Sequence, residues 1–251
     1  MSLLSQFIFR ISFGLALGMA LTSSRQVTSG YFRNHLYVLL GLNVLATLVA
    51  LSEPTTFALW PPLSAAVLSY VGAVCWLYEK SRPGVVALAS IAGLTIAGAW
   101  LGTNWQRAGD SAGRILDVLD PVTSGLLLGL TLAAMFLGHW YLNTPTMVLA
   151  PLRRLILMMG AALVLRAVAS GAGLGFQLAE AAWPSTAIWL FIALRWLAGL
   201  FGAAALTWMA WKTLLIPNTQ SCTGILYVVV LATFLGELTA MLLHVETSYP
   251  L

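Results

Sequence analysis

Apolar runs about as long as a bilayer is thick recur from one end of this chain to the other, and they leave it few folds. Eight such segments fall at residues 4–22, 36–52, 61–78, 84–103, 122–143, 152–172, 184–211 and 222–244. A transmembrane helix needs about 20 mostly apolar residues. In hydrocarbon every backbone polar group must bond within the protein, so only helices and closed barrels span a membrane. Period-two alternation is absent, which argues against a barrel. Charged residues are 8% of the chain, against about 25% in soluble domains. The sequence therefore predicts an all-α polytopic membrane protein of about eight helices, forming a single transmembrane domain over 1–251. The first apolar run lacks a basic leader and a small-residue cleavage site, and reads as a retained helix.

Lysine and arginine set the expected orientation, because they accumulate in cytoplasmic loops. Connections after the first, third, fifth and seventh segments carry Arg25, Arg33, Lys80, Arg82, Arg153, Arg154 and Lys212. The other side carries only Arg107 and Arg114. This bias predicts both termini on the non-cytoplasmic side of a bacterial-type inner membrane. Most carboxylates fall on that side: Glu53, Asp110, Asp117, Asp120, Glu180 and Glu246. The net charge of +4 is a topology signal, and no basic run points to nucleic acid.

The chain allows two parallel repeat halves, 1–104 and 121–251, joined by an outer loop at 104–121. Trp60-Pro61 and Trp183-Pro184 open the third and seventh segments, while Trp76 with Lys80 and Trp208 with Lys212 close them. Gly14 and Gly18 match Gly125 and Gly129 in the same scheme. These spacings favour close helix packing. The loop contains Trp105, Arg107, Asp110, Arg114, Asp117 and Asp120, and suits an amphipathic surface helix or lid.

Ionisable groups inside hydrocarbon are costly and need partners. Four stand out: Arg10, Arg166, Arg195 and Glu237. At about 1.5 Å per residue, all four lie in the outer half of the membrane. Glu237 is expected to pair with Arg166 or Arg195, with Arg195 favoured because consecutive helices are usually neighbours. An outer-loop aspartate, a substrate anion, an acidic lipid or a quinone oxygen would satisfy the surplus positive charge.

The second candidate site lies at the cytoplasmic end of the fifth segment. His139, Trp140, Tyr141 and Asn143, with Arg153 and Arg154, gather an imidazole, two amphipathic aromatics, an amide and two guanidiniums. They suit a quinone or lipid headgroup, and equally a set of interface anchors. Haem is not expected. His139 and His244 sit at opposite membrane ends, His35 lies at a loop–helix junction, and Cys75 and Cys222 form no CxxCH motif. No His, Cys and carboxylate cluster provides a metal site, and no Walker loop, dinucleotide fingerprint, GxSxG or HExxH is present.

Three classes of function meet these features to different extents. An integral subunit of a respiratory or other electron-transfer complex, contacting quinone or lipid and anchoring partner subunits, fits the lack of a catalytic constellation and the short loops. A small-solute or ion transporter fits the buried Arg/Glu site. A lipid-processing enzyme has no nucleophile to support it.

Overall fold

The computed structural model describes residues 2–52, 59–103, 111–144, 146–180, 185–216 and 218–251. Among them there are eight helices long and apolar enough to span a membrane: α1 Leu3–Leu21, α2 Ser29–Leu51, α3 Trp60–Leu77, α4 Ser81–Leu101, α5 Ser111–Asn143, α6 Ala150–Ala179, α7 Thr186–Leu215 and α8 Thr219–Glu246. The described residues contain no strand. The chain is an all-α polytopic membrane protein. An even number of spans puts Ser2 and Leu251 at one end of the bundle, here termed the terminal face. The turns after α1, α3, α5 and α7 lie at the opposite, distal face.

Local chemistry sets many helix ends. Ser2 accepts a hydrogen bond from the Ser5 amide at 3.2 Å, and Asn218 accepts from the Ser221 amide at 2.9 Å. Each occupies an N-cap and satisfies an amide that has no helical partner. Pro61 and Pro62 open α3, where a missing N–H costs little. Inside the helices, Ser69, Thr95, Thr131 and Thr207 donate to the carbonyl four residues earlier. This bond lets a hydroxyl enter an apolar interior without losing its partner.

Three boundaries move most. Helix α2 starts seven residues before the expected position, α5 starts eleven before it, and α6 runs seven beyond its expected end. The expected outer loop at 104–121 is therefore corrected over its second half. Residues 111–121 are the first turns of α5, and Pro121 lies inside the helix. Proline and three charged side chains imitate a loop in sequence. Proline here removes one amide, the donor that would have met the Asp117 carbonyl. Neighbouring helices enclose this stretch and bury Asp117 and Asp120, and such packing tolerates proline in a transmembrane helix. Trp105, Arg107, Asp110, Trp183 and Pro184 lie outside the described residues.

Helices α1–α4 form one four-helix group in which α1 packs on both α2 and α4. Helices α5–α8 form another, in which α5 packs on both α6 and α8. The two groups meet mainly through α1 and α5. Gly14 and Gly18 of α1 face the α5 segment containing Gly125 and Gly129. A Cβ at Gly14 would strike the Gly125 carbonyl, and one at Gly129 would strike the backbone of Gly14 and Leu15. Two backbones in contact leave no flexible side chain to move aside. Gly41, by contrast, has open space around its missing Cβ.

Substitution should follow this geometry. We expect Gly129→Leu to lower stability by at least about 1–3 kcal/mol, the usual cost of overpacking. Gly41→Leu should stay within about 0.5 kcal/mol of the parent. Unfolding in mild detergent measures both, and equal stabilities would contradict the packing described.

Candidate functional site

The buried charges lie on five helices and meet in one chain. Arg10 belongs to α1, Asp120 to α5, Arg166 to α6, Arg195 to α7 and Glu237 to α8. All five come from the half of each helix nearer the terminal face, except Arg166, which sits close to the middle of α6. Arg10 Nη2 contacts Asp120 Oδ2 at 2.6 Å. Asp120 Oδ1 contacts Arg166 Nη1, also at 2.6 Å. Arg166 then grips Glu237 through Nη2 at 2.8 Å and Nε at 3.1 Å. Arg195 Nη2 closes the series on Glu237 Oε1 at 2.9 Å. Thr123 accepts from Arg166 and Ser170 accepts from Arg195.

The expected pairing thus involves both arginines, and Arg166 makes the two-pronged contact. Arg166, Arg195 and Glu237 are at most 1% exposed. Charges this deep persist only when paired and hydrogen-bonded. The surplus positive charge inferred from sequence is met by Asp120, with Asp117 buried one turn away. Three arginines then face three carboxylates. Sequence reasoning placed both aspartates in the outer loop. The available signal was their three-residue spacing, which puts them on one helix face.

Two local devices make the chain of charges fit. Residues Arg195–Gly202 of α7 are a π-helical segment, a form often found at functional positions. At the α7–α8 crossing, a Cβ on Gly199 or Gly236 would lie 2.5 Å from the other residue's Cα. The helices come close enough there for Arg195 to reach the carboxylate beside Gly236.

A cavity of about 210 Å³ opens onto this chain near the terminal face. Arg10, Asp117, Asp120 and His244 supply its polar wall, while Leu3, Met241 and Val245 supply apolar surface. His244 Nε2 stands 3.7 Å from Asp117 Oδ1. Arg10 is buried, and its Nε and Nη1 have no hydrogen-bond partner among the described residues. A guanidinium holds five N–H donors and cannot discard its charge. Arg10 therefore keeps positive charge at the cavity wall, which suits this space to an oxygen-bearing ligand. No cluster of three or more His, Cys, Asp or Glu residues placed to hold a metal occurs among the described residues.

The second expected site is arranged differently. Trp140 Nε1 donates to Thr28 Oγ1 at 2.9 Å, tying the end of α5 to the start of α2. The Tyr141 hydroxyl donates to the Val148 carbonyl. Arg153 Nη2 donates to the Leu214 carbonyl at 2.8 Å, joining α6 to the end of α7. His139 Nδ1 and the Tyr227 hydroxyl are 3.1 Å apart. Asn143 and Arg154 are exposed. These contacts brace neighbouring helices, and the cavity described above contains none of the six residues. His35 stacks on Phe136 with ring centroids 4.4 Å apart, and its Nδ1 lies 2.6 Å from the Tyr31 carbonyl.

No family model matches the chain, and neither does any curated protein or solved structure.

Removing one partner of a buried ion pair strands the other, at a cost of about 3–5 kcal/mol. Arg166 serves two carboxylates, whereas Arg195 serves one. We expect Arg166→Gln to destabilise the protein more than Arg195→Gln. Adding Glu237→Gln to Arg195→Gln should recover part of the loss. Unfolding of the three variants in detergent tests this order, and strict additivity of the double substitution would contradict a coupled chain.

Proposed function

We propose that the chain is the membrane subunit of an electron-transfer assembly, with the cavity near the terminal face holding a quinone headgroup. The observation that supports this reading is the cavity's mixed wall. Arg10 puts positive charge at the wall to attract a carbonyl oxygen, and His244 beside Asp117 offers a proton acceptor. Leu3, Met241 and Val245 offer apolar contact for a ring. Small-molecule sites have this character, mostly apolar with a few convergent polar groups.

In the direction of quinol oxidation, two electrons and two protons leave the ring. A redox centre of a partner subunit would have to accept the electrons. His244 and Asp117 take the protons and return them to the terminal face. Arg10 orients the oxygen from which a proton has departed. The chain from Asp120 to Arg195 holds Arg10 in place and keeps the helices in register.

Transport of a small solute or ion is the second reading, and the π-helical break in α7 favours it. Transporter sites are often built from interrupted helices in corresponding positions of two halves. Here Pro121 in α5 and the break in α7 both fall in the second half. Each of the three buried arginines also has a carboxylate partner. Both facts favour the electron-transfer reading.

The proposed orientation puts the terminal face outside the cytoplasm, in a bacterial-type inner membrane. The distribution of lysine and arginine supports it, at seven residues against two. A reporter fused after Leu251 should report an external location, and a cytoplasmic signal would reverse the assignment.

The functional test uses protein purified in mild detergent. We expect it to carry metal-containing partners and to bind a short-chain quinone analogue. His244→Gln and Arg10→Lys should each raise the Kd at least about tenfold, equal to about 1.4 kcal/mol. A protein that purifies alone and binds a solute, with no affinity for the analogue, would establish transport instead.

A further inference from the structure

A second cavity lies on the lipid-facing side of the bundle, between α6 and α7, with a volume of about 500 Å³. Leu157, Gly160 and Val164 line it from α6, and Phe201, Ala204 and Trp208 from α7. The small residues explain its emptiness. A Cβ added at Gly160 would meet nothing within 4 Å. On α6 its lining runs from Ile156 to Ala167. At about 1.5 Å per residue that is about 16 Å, close to half of a hydrocarbon core about 30 Å thick. The groove is therefore as deep as one leaflet, and it lies toward the distal face.

The rim at that face is basic. Arg153 and Arg154 occupy the first turn of α6, and Lys212 the last turn of α7. The bond from Arg153 to the Leu214 carbonyl holds these helix ends together. Arg154 and Lys212 are exposed, and neither forms an ion pair among the described residues. Lys212 Nζ stands 5.4 Å from the ring centroid of Trp208, itself 62% exposed and part of the groove wall. An ammonium above an amphipathic indole, at the mouth of an apolar groove, suits a molecule with an anionic head and a long apolar tail.

We infer that this groove binds an anionic phospholipid of the distal leaflet. An acyl chain lies along Gly160 and Ala204, and the phosphate meets Lys212 and Arg154. Basic residues near a membrane surface attract anionic lipid by about 1 kcal/mol each, and the groove adds apolar contact that a flat helix surface lacks. The site is separate from the proposed quinone cavity and does not depend on it.

The test uses the full chain, delipidated in mild detergent and supplied with phosphatidylglycerol or phosphatidylcholine of identical acyl chains. Native mass spectrometry counts retained lipid, and thermal unfolding reports stabilisation. Phosphatidylglycerol should be retained at least tenfold more strongly than phosphatidylcholine. Gly160→Leu should abolish the retention by filling the groove, with the unfolding temperature of the lipid-free protein preserved. The Arg154→Gln, Lys212→Gln double variant should remove the preference for the anionic lipid and needs no change in packing. Equal retention of the two lipids, or retention unaffected by Gly160→Leu, would overturn the proposal. So would a quinone in the groove in place of phospholipid, or a dimer that Gly160→Leu dissociates.

Discussion

Arg166 is the residue on which the second half of the bundle depends. One guanidinium holds Asp120 of α5 and Glu237 of α8, and through them Arg10 of α1 and Arg195 of α7. Five of the eight spanning helices are thereby joined by ion pairs. Apolar packing cannot supply such a link in lipid, since a side chain gains little by leaving acyl chains for another helix. A charge in the same place has no good alternative to its partner. The chain therefore specifies helix register, whatever its net contribution to stability.

The remaining helices are held by shape. Helices α2, α3 and α4 contribute no member to the charge chain and join the second group mainly through α1, with α2 and α4 also touching α5. The α1–α5 contact is a backbone-to-backbone approach at Gly14, Gly125 and Gly129. That closeness also has an electrostatic consequence, because Arg10 and Asp120 lie within about a turn of the same crossing. Glycine packing and charge pairing are therefore coupled: a crossing widened by a side chain would draw Arg10 away from Asp120.

Two cavities lie against this framework, and their walls differ because their solvents differ. The smaller one is flanked by the charged end of the chain and takes polar chemistry. The larger one faces hydrocarbon and is lined by tryptophan, leucine and small residues. The π-helical turn of α7 lies between them in a structural sense. Arg195, at its start, turns inward to Glu237, while Trp196, the next residue, lines the lipid-facing groove.

The sequence by itself determined the membrane-spanning class, eight helices, and the four deep charges, because a bilayer penalises every unpaired polar group. Length and hydropathy carry that penalty visibly. It also placed Arg166, Arg195 and Glu237 near one another, since depth along a helix follows from residue count. It offered an outer-loop aspartate as one of several partners for the surplus charge, but did not single out Asp120 or place it on a spanning helix. Beside Arg114 and Pro121, both Asp117 and Asp120 resemble loop residues, and only neighbouring helices supply the partners that let such a segment stay helical. Nor did it separate the aromatic and basic residues around His139 into bracing contacts. Trp140, Tyr141 and Arg153 are near in sequence, but each bonds to a different segment. Hydropathy records how deep a residue sits; which side of its helix faces which neighbour was decided only by packing in three dimensions.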